Sequence, residues 1–313
     1  MKQENIEILN NFGIENIPDL DVAVLGALEL FASINIPTIE LQYKRPLVVG
    51  SGNALATGKI IFRDFGAVFA SESDFEEKLE KIEGIDGLVI ISSSGGKHAP
   101  IIAKTGKKHK KKLTLITNTP NSSAKAHLDP LGGDLEYIFP KNREPYSYNT
   151  STYLSMILAH TKESPKEIYD FIKNEINQID FSKLGNYNKF FLIIPPQFSG
   201  IIRMLQLKFT ELFGRNIAYS IETSEYIKHT TTVAPARELF ISFGEPNRLW
   251  GEPNDRIFVP LPEGADYGAM MAVGYIVMGE IQKRHPPYFK ENIVKYLEKA
   301  SKIFSHEIKP ILE

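Results

Sequence analysis

The chain has 313 residues, and its 36 lysines and arginines against 38 aspartates and glutamates leave a formal net charge of -2. So even a balance gives little support to nucleic acid as the main partner, because polyanion surfaces are built on excess cation. The absence of cysteine excludes disulfides and thiolate zinc sites, and 42% hydrophobic with 24% charged residues is the composition of a globular chain long enough for two ordinary domains.

Residues Met1 to Asn5 are polar and lack the apolar stretch of a secretory signal. Helical patterns follow at Asn5 to Phe12 and Leu20 to Ile34, the second with apolar residues at helical spacing, and Pro37 closes this N-terminal segment, 1–45. Pro46 to Val49 is a strand, Gly50-Ser51-Gly52-Asn53 a turn and Ala54 to Phe62 a helix. The alternation continues through a strand at Ala67 to Phe69, a charged helix at Asp74 to Glu83, a buried strand at Gly87 to Ser92 and a helix at Ala99 to Lys108. Leu113 to Thr117 reads as another strand, Ser122 to Leu128 as a helix and Glu136 to Phe139 as the last strand of this half, 46–148. Strands separated by helices imply a parallel sheet covered on both faces.

A polar stretch from Pro140 to Asn149 leads into two linking helices, Thr150 to Thr161 and Pro165 to Ile176, within a bridge spanning 149–185. The pattern then restarts over 186–313, with a strand at Phe190 to Ile194, a turn at Pro195 to Gly200 and a helix at Ile201 to Phe213. Strands at Leu239 to Phe243 and Ile257 to Pro260 precede helices at Tyr267 to Lys283 and Tyr288 to Phe304. The most apolar stretch, Ala269 to Ile281, falls short of the roughly 20 residues a membrane span needs. The expectation is a soluble, cytoplasmic α/β protein of two related lobes, each a parallel sheet between layers of helices.

Chemistry concentrates where strands give way to turns. A turn that leaves a parallel strand and enters a helix offers backbone N–H groups and the positive helix end to an anion. Ser92, Ser93 and Ser94 follow one such strand, and Ser122 and Ser123 follow its neighbour, so the two loops could enclose one phosphate. Serines that merely fill surface turns are the alternative. The Walker pattern fails here, with Ile91 and His98 at its glycine and hydroxyl positions, and the dinucleotide fingerprint fails because Leu55 stands at its third glycine. The run Lys107-Lys108-His109-Lys110-Lys111-Lys112 reads as the solvated end of a helix, where cations complement the macrodipole.

Strand, Ser92-Ser93-Ser94-Gly95, helix, then a strand ending in Asn118 with Ser122 beyond it resembles the sugar isomerase (SIS) domain. The resemblance runs from about Lys44 to Phe304, since the second half looks like a second SIS lobe, and the bifunctional phosphoglucose/phosphomannose isomerases are the most similar group. The resemblance implies phosphate binding by Ser92, Ser94 and Gly95, and a first glycine-rich turn at Gly50, Ser51, Gly52 and Asn53. Lys97 stands where relatives have threonine and could meet the same anion as a point charge.

On the same grounds Glu211, in Gln206-Leu207-Lys208-Phe209-Thr210-Glu211, resembles the isomerase base, and His229, in Glu225-Tyr226-Ile227-Lys228-His229, the residue that opens the sugar ring. A lone acid on an apolar helix is costly unless paired or used, and an ion pair with Lys208 or Arg215 would also account for Glu211. A hydrogen-bonded loop histidine would account for His229. Glu144, with Asn149 and Thr150, resembles residues that line the sugar site in relatives, although Asn149 would serve equally as a helix N-cap.

The implied activity is aldose–ketose isomerisation of glucose 6-phosphate or mannose 6-phosphate with fructose 6-phosphate, through an enediol, with no metal or cofactor. Two alternatives stay open: a sugar-phosphate-binding protein without turnover, and an isomerase or deglycase for an amino- or glycated sugar phosphate. The resemblance also implies a homodimer, with His229 acting within its own subunit or across the interface. Neither nucleic acid nor membrane is an expected partner.

Overall fold

A computed structural model describes residues 2–40, 42–233, 237–304 and 307–312. They fall into two compact units that interleave along the chain: one gathers residues 35–141 with 152–162, the other residues 1–34 with 142–151 and 163–313. The four consecutive segments read from the sequence are therefore not the units of the fold. The N-terminal helices group with the second sheet instead of standing apart.

The first-sheet unit contains β1 (Pro46–Val49), α3 (Asn53–Ile61), β2 (Val68–Ala70), α4 (Phe75–Lys81), β3 (Gly87–Ile91), α5 (His98–Lys108), β4 (Lys112–Thr117) and β5 (Leu135–Ile138), with α1 and α2 preceding it in the chain at Glu4–Asn11 and Leu20–Phe31. All five strands are parallel, in the order β2-β1-β3-β4-β5. Because side chains alternate along a strand, Leu47, Val49, Leu88, Ile90, Leu113 and Leu115 share one face and pack against Phe75 and Leu79 of α4 and Ala99, Ile102 and Ala103 of α5. Val48 and Ile91 point the other way, where Gly58 of α3 lies on them. Both faces of the sheet are thus covered, which explains its apolar, β-branched strands. The chain reaches β2 on one side of β1 and β3 on the other, so the switch point lies between β1 and β3, where ligands of open α/β sheets bind.

The second-sheet unit follows with β6 (Glu144–Pro145) and the first two residues of α6 (Thr150–Thr161), whose remainder belongs to the first-sheet unit, then α7 (Pro165–Asn174), β7 (Lys189–Ile194), α8 (Ile202–Phe213), β8 (Ala218–Thr223), α9 (Ile227–Thr230), β9 (Leu239–Phe243), β10 (Arg256–Val259), α10 (Tyr267–Lys283), α11 (Tyr288–Phe304) and β11 (Ile311–Leu312). The boundary between the units falls in the first turn of α6. Four parallel strands run in the order β10-β9-β7-β8. α10 is apolar on almost every side and is buried accordingly. The start of α2 meets its end, where Leu20 N–H donates to the Gln282 side chain at 2.9 Å and Lys283 Nζ lies 2.6 Å from Asp21. A two-residue antiparallel ladder joins β11 to β6.

Two local expectations change. Residues 123–127 form a 3-10 turn where an α-helix was expected, and β8 with α9 fills a stretch for which no strand was expected. Among the described residues, no helix is long and apolar enough to cross a membrane.

Candidate functional site

The turns at the C-terminal edge of the first sheet carry Gly50, Ser51, Gly52, Asn53, Ser92, Ser94, Gly95 and Lys97. The loops after β3 and β4 are laced together. Ser93 C=O accepts from Asn118 N–H at 3.0 Å, from Thr117 Oγ1 at 3.0 Å and from Thr119 Oγ1 at 3.2 Å, while Gly95 C=O accepts from Ala124 N–H at 2.9 Å. Gly95 is required twice over, by a φ of +56° and because a Cβ there would lie 2.3 Å from Ser122 Cβ. Ser92 and Ser94 turn their hydroxyls onto their own loop, accepting from Gly95 and Gly96 N–H at 3.2 Å each. Lys97, exposed at the N-cap of α5, also takes a positive φ of 47°, a strained backbone for a residue with a side chain.

Two features of this edge bear on what it binds. Asn53 Oδ1, Asn118 Oδ1 and Ser122 Oγ are buried and have no partner among the described residues, a cost that native loops seldom carry without a ligand or water to relieve it. Glu72, in the loop after β2, accepts a hydrogen bond from Ser51 Oγ. Partial burial opposes its ionisation, but the Ser51 hydroxyl, its own backbone N–H and the charges of His98 and Lys97 outweigh that and hold the carboxyl below its ordinary value. Sequence reading missed Glu72 because an acid in a polar loop after a three-residue strand carries no signal.

In the second-sheet unit, Glu144, Thr150 and Glu211 gather around a lysine. Glu144 is buried and accepts from Thr150 N–H at 2.7 Å and Ser151 N–H at 2.6 Å, so this carboxylate, not Asn149, takes the first free donors of α6. Lys208 has a fully buried side chain whose Nζ donates to the Ser147 carbonyl and to Glu211 Oε2, the latter at 2.7 Å, with the rings of Tyr148 and Tyr275 at 6.0 and 5.7 Å. Ser147 and Asn149 both adopt positive φ, at 76° and 45°, so the loop that meets the lysine is strained at two residues. Glu211 is the less buried partner, its side chain 30% exposed, and it lines a cavity of about 440 Å³ with Ser147, Thr210, Asn292 and Tyr296. A signal for Lys208 did exist: it stands three residues from Glu211, at ion-pair spacing on a largely apolar helix.

His229 lies elsewhere in this unit. α8 runs back from the C-terminal end of β7 to the start of β8, where Thr210 Oγ1 meets Tyr219 Oη at 2.6 Å, so Glu211 sits near the beginning of β8. His229 lies beyond its end, in α9, exposed and edge-on to the Tyr226 ring at 6.4 Å. β8 has six residues, and a strand of that length spans about 20 Å. Glu211 and His229 of one chain are therefore not brought together.

No family model matches the chain, and no curated protein matches it. Its fold does match solved structures. Tagatose-6-phosphate ketose/aldose isomerase from Escherichia coli aligns with a TM-score of 0.58 at 11% identity, over 92% of this chain and 94% of that one. Glucosamine-6-phosphate deaminase from Thermotoga maritima gives 0.57 at 15% identity, over 85% and 91%. The C-terminal domain of glucosamine-fructose-6-phosphate aminotransferase from Francisella tularensis gives 0.54 at 12% identity, over 92% and 95%. The chain has the fold of these proteins, two SIS-type lobes each built on a parallel sheet with flanking helices.

Proposed function

We propose that the protein is a phosphosugar isomerase that interconverts an aldose and a ketose phosphate, with glucose 6-phosphate or mannose 6-phosphate and fructose 6-phosphate as its substrates. The observation that carries this reading is Glu211, a carboxylate on a cavity wall whose Oε2 is fixed by the buried Lys208. Such isomerisation needs one base that removes a proton from the carbon beside the carbonyl and returns it to the neighbouring carbon through an enediol. Lys208 holds one carboxylate oxygen still and leaves the other for that transfer. By the family resemblance Glu144, Asn149 and Thr150 would belong to the same site, with Glu144 acting on it through the charge of Lys208. Ser92, Ser94, Gly95 and Lys97, with the turn from Gly50 to Asn53, would hold the phosphate. His229 would open the ring, and its distance from Glu211 in one chain favours a site shared with a second copy.

A second reading has Glu72 in its favour. A carboxylate hydrogen-bonded to Ser51 attracts an ammonium group and repels phosphate, which suits an amino- or glycated sugar phosphate. One experiment separates these readings. The protein is incubated in deuterated water with fructose 6-phosphate and, separately, glucosamine 6-phosphate, and deuterium at C1 and C2 is followed by NMR. Exchange with fructose 6-phosphate that falls by about 10²- to 10⁴-fold in Glu211→Gln is the expected result, the span a general base contributes. Exchange with the amino sugar alone selects the second reading. Saturable binding without exchange makes the protein a sugar-phosphate sensor and removes Glu211 from catalysis.

A further inference from the structure

The first-sheet unit holds a second group of chemistry-bearing side chains at the far end of α5 from the serine loops. α5 has 11 residues, which places its two ends about 16 Å apart. Its C-cap residue is His109, and α4, packed on the same face of the sheet, carries Glu76 and Glu80 one turn apart on one side. A ligand atom from each of these three residues lies within 4.8 Å of the other two. Independently, His109 Nε2 is buried with no hydrogen-bond partner among the described residues. A buried ring nitrogen without a partner is destabilising unless something coordinates it. Of the nearby lysines, Lys107 Nζ holds Asp134 at 2.6 Å, Lys111 Nζ the Ile85 carbonyl at 2.5 Å and Lys81 Nζ Glu77 at 2.8 Å, while Lys108 and Lys110, on either side of His109, are exposed to solvent.

We propose that Glu76, Glu80 and His109 form a binding site for a divalent transition metal, with Zn²⁺ as the reference ion. Two carboxylate oxygens and one imidazole nitrogen provide three ligands, and water completes the tetrahedron. The imidazole selects Zn²⁺ or Co²⁺ over Mg²⁺, which prefers an all-oxygen octahedron. The metal joins α4 to the end of α5 and so clamps the two helices that cover one face of the first sheet. It lies apart from the residues assigned to the sugar, and the assignment does not rest on the isomerase reading.

The test uses the full chain without a histidine tag, stripped with chelator and then freed of it. Titration with Co²⁺, followed by visible absorption, and with Zn²⁺, followed by calorimetry, should show one equivalent bound, and Zn²⁺ should raise the melting temperature by several degrees where Mg²⁺ does not. His109→Ala and Glu80→Gln should each weaken Zn²⁺ binding by at least about 10- to 100-fold, the loss that even outer-sphere partners of a metal produce. Both variants should melt with the parent when metal-free, since His109 Nε2 makes no bond to lose and Glu80 is exposed. Absence of saturable binding overturns the proposal, as does binding that survives in a variant that still melts with the parent.

Discussion

Lys208 and Glu144 carry charges that are hard to accommodate, because both are removed from water. Each is tolerable only through the other and through the groups they hold, the Ser147 carbonyl and Glu211 for the lysine, the first N–H groups of α6 for the glutamate. Burial is the largest influence on Glu144 and pushes its carboxyl above the ordinary 4.5, against hydrogen bonds from Ser151 and Thr150 and the charge of Lys208. A carboxyl raised in the folded state binds its proton more tightly there than in the unfolded chain. Its contribution to stability is therefore full below the ordinary value and is lost as pH rises through the folded one. Glu144→Gln removes that titration. In urea unfolding at steps from about pH 4 to about pH 8, the stability of Glu144→Gln relative to the parent should rise with pH, whereas a constant difference would show that Glu144 does not titrate anomalously. Part of this site was legible from sequence. A lone acid on an apolar helix marked Glu211, and helical spacing offered Lys208 or Arg215 as its partner. That the lysine is the buried member, and that Glu144 does the capping work open to Asn149, depends on contacts across 61 and 6 residues, which no local pattern encodes.

Elements were legible in proportion to how fully they are buried. β3, β4, β7 and β9 are covered on both faces, so their sequences are mostly apolar, interrupted inside only by Thr114 in β4 and Ser242 in β9. β8 is an edge strand paired only with β7, and its Ala-Tyr-Ser-Ile-Glu-Thr alternates exposed and covered residues too weakly to announce a strand. The segment after Ser122 has helical composition, but its start is bound to Gly95 of the neighbouring loop, which leaves a 3-10 turn. α10 was plain as a helix, while its glycines say something only the structure explains. A Cβ at Gly279 would lie 2.7 Å from the Asp21 backbone nitrogen and 2.9 Å from its Cβ, so α2 crosses α10 over a missing side chain. Gly→Ala in a helix normally stabilises by about 1 kcal/mol. At Gly279 the sign should reverse, with a loss of about 1–3 kcal/mol from overpacking, read as a lower urea midpoint at unchanged slope. An unchanged or higher midpoint would mean that α2 can shift away freely.

The scale of the whole molecule is where sequence order misleads most. α2 belongs with α10, about 260 residues later, because Asp21 meets Lys283 and the Leu20 N–H meets Gln282, so residues 1–34 cannot be a separate appendage. The same scale bears on the role proposed for His229. Glu211 and His229 stand at opposite ends of β8, yet isomerisation of a cyclic sugar requires ring opening and proton transfer on adjacent atoms. The proposed homodimer resolves this if the histidine of one subunit completes the site that holds the glutamate of the other. Glu211→Gln and His229→Ala should then each be inactive as pure proteins. Refolded together in equal amounts, half the dimers are mixed, and in each mixed dimer one of the two sites carries both intact residues, so about a quarter of the parent's activity should return. Turnover should scale with the mixed-dimer fraction as the ratio of the two variants is changed. No recovery, from a mixture shown by mass spectrometry to contain mixed dimers, would exclude a shared site and leave Glu211 to act without His229.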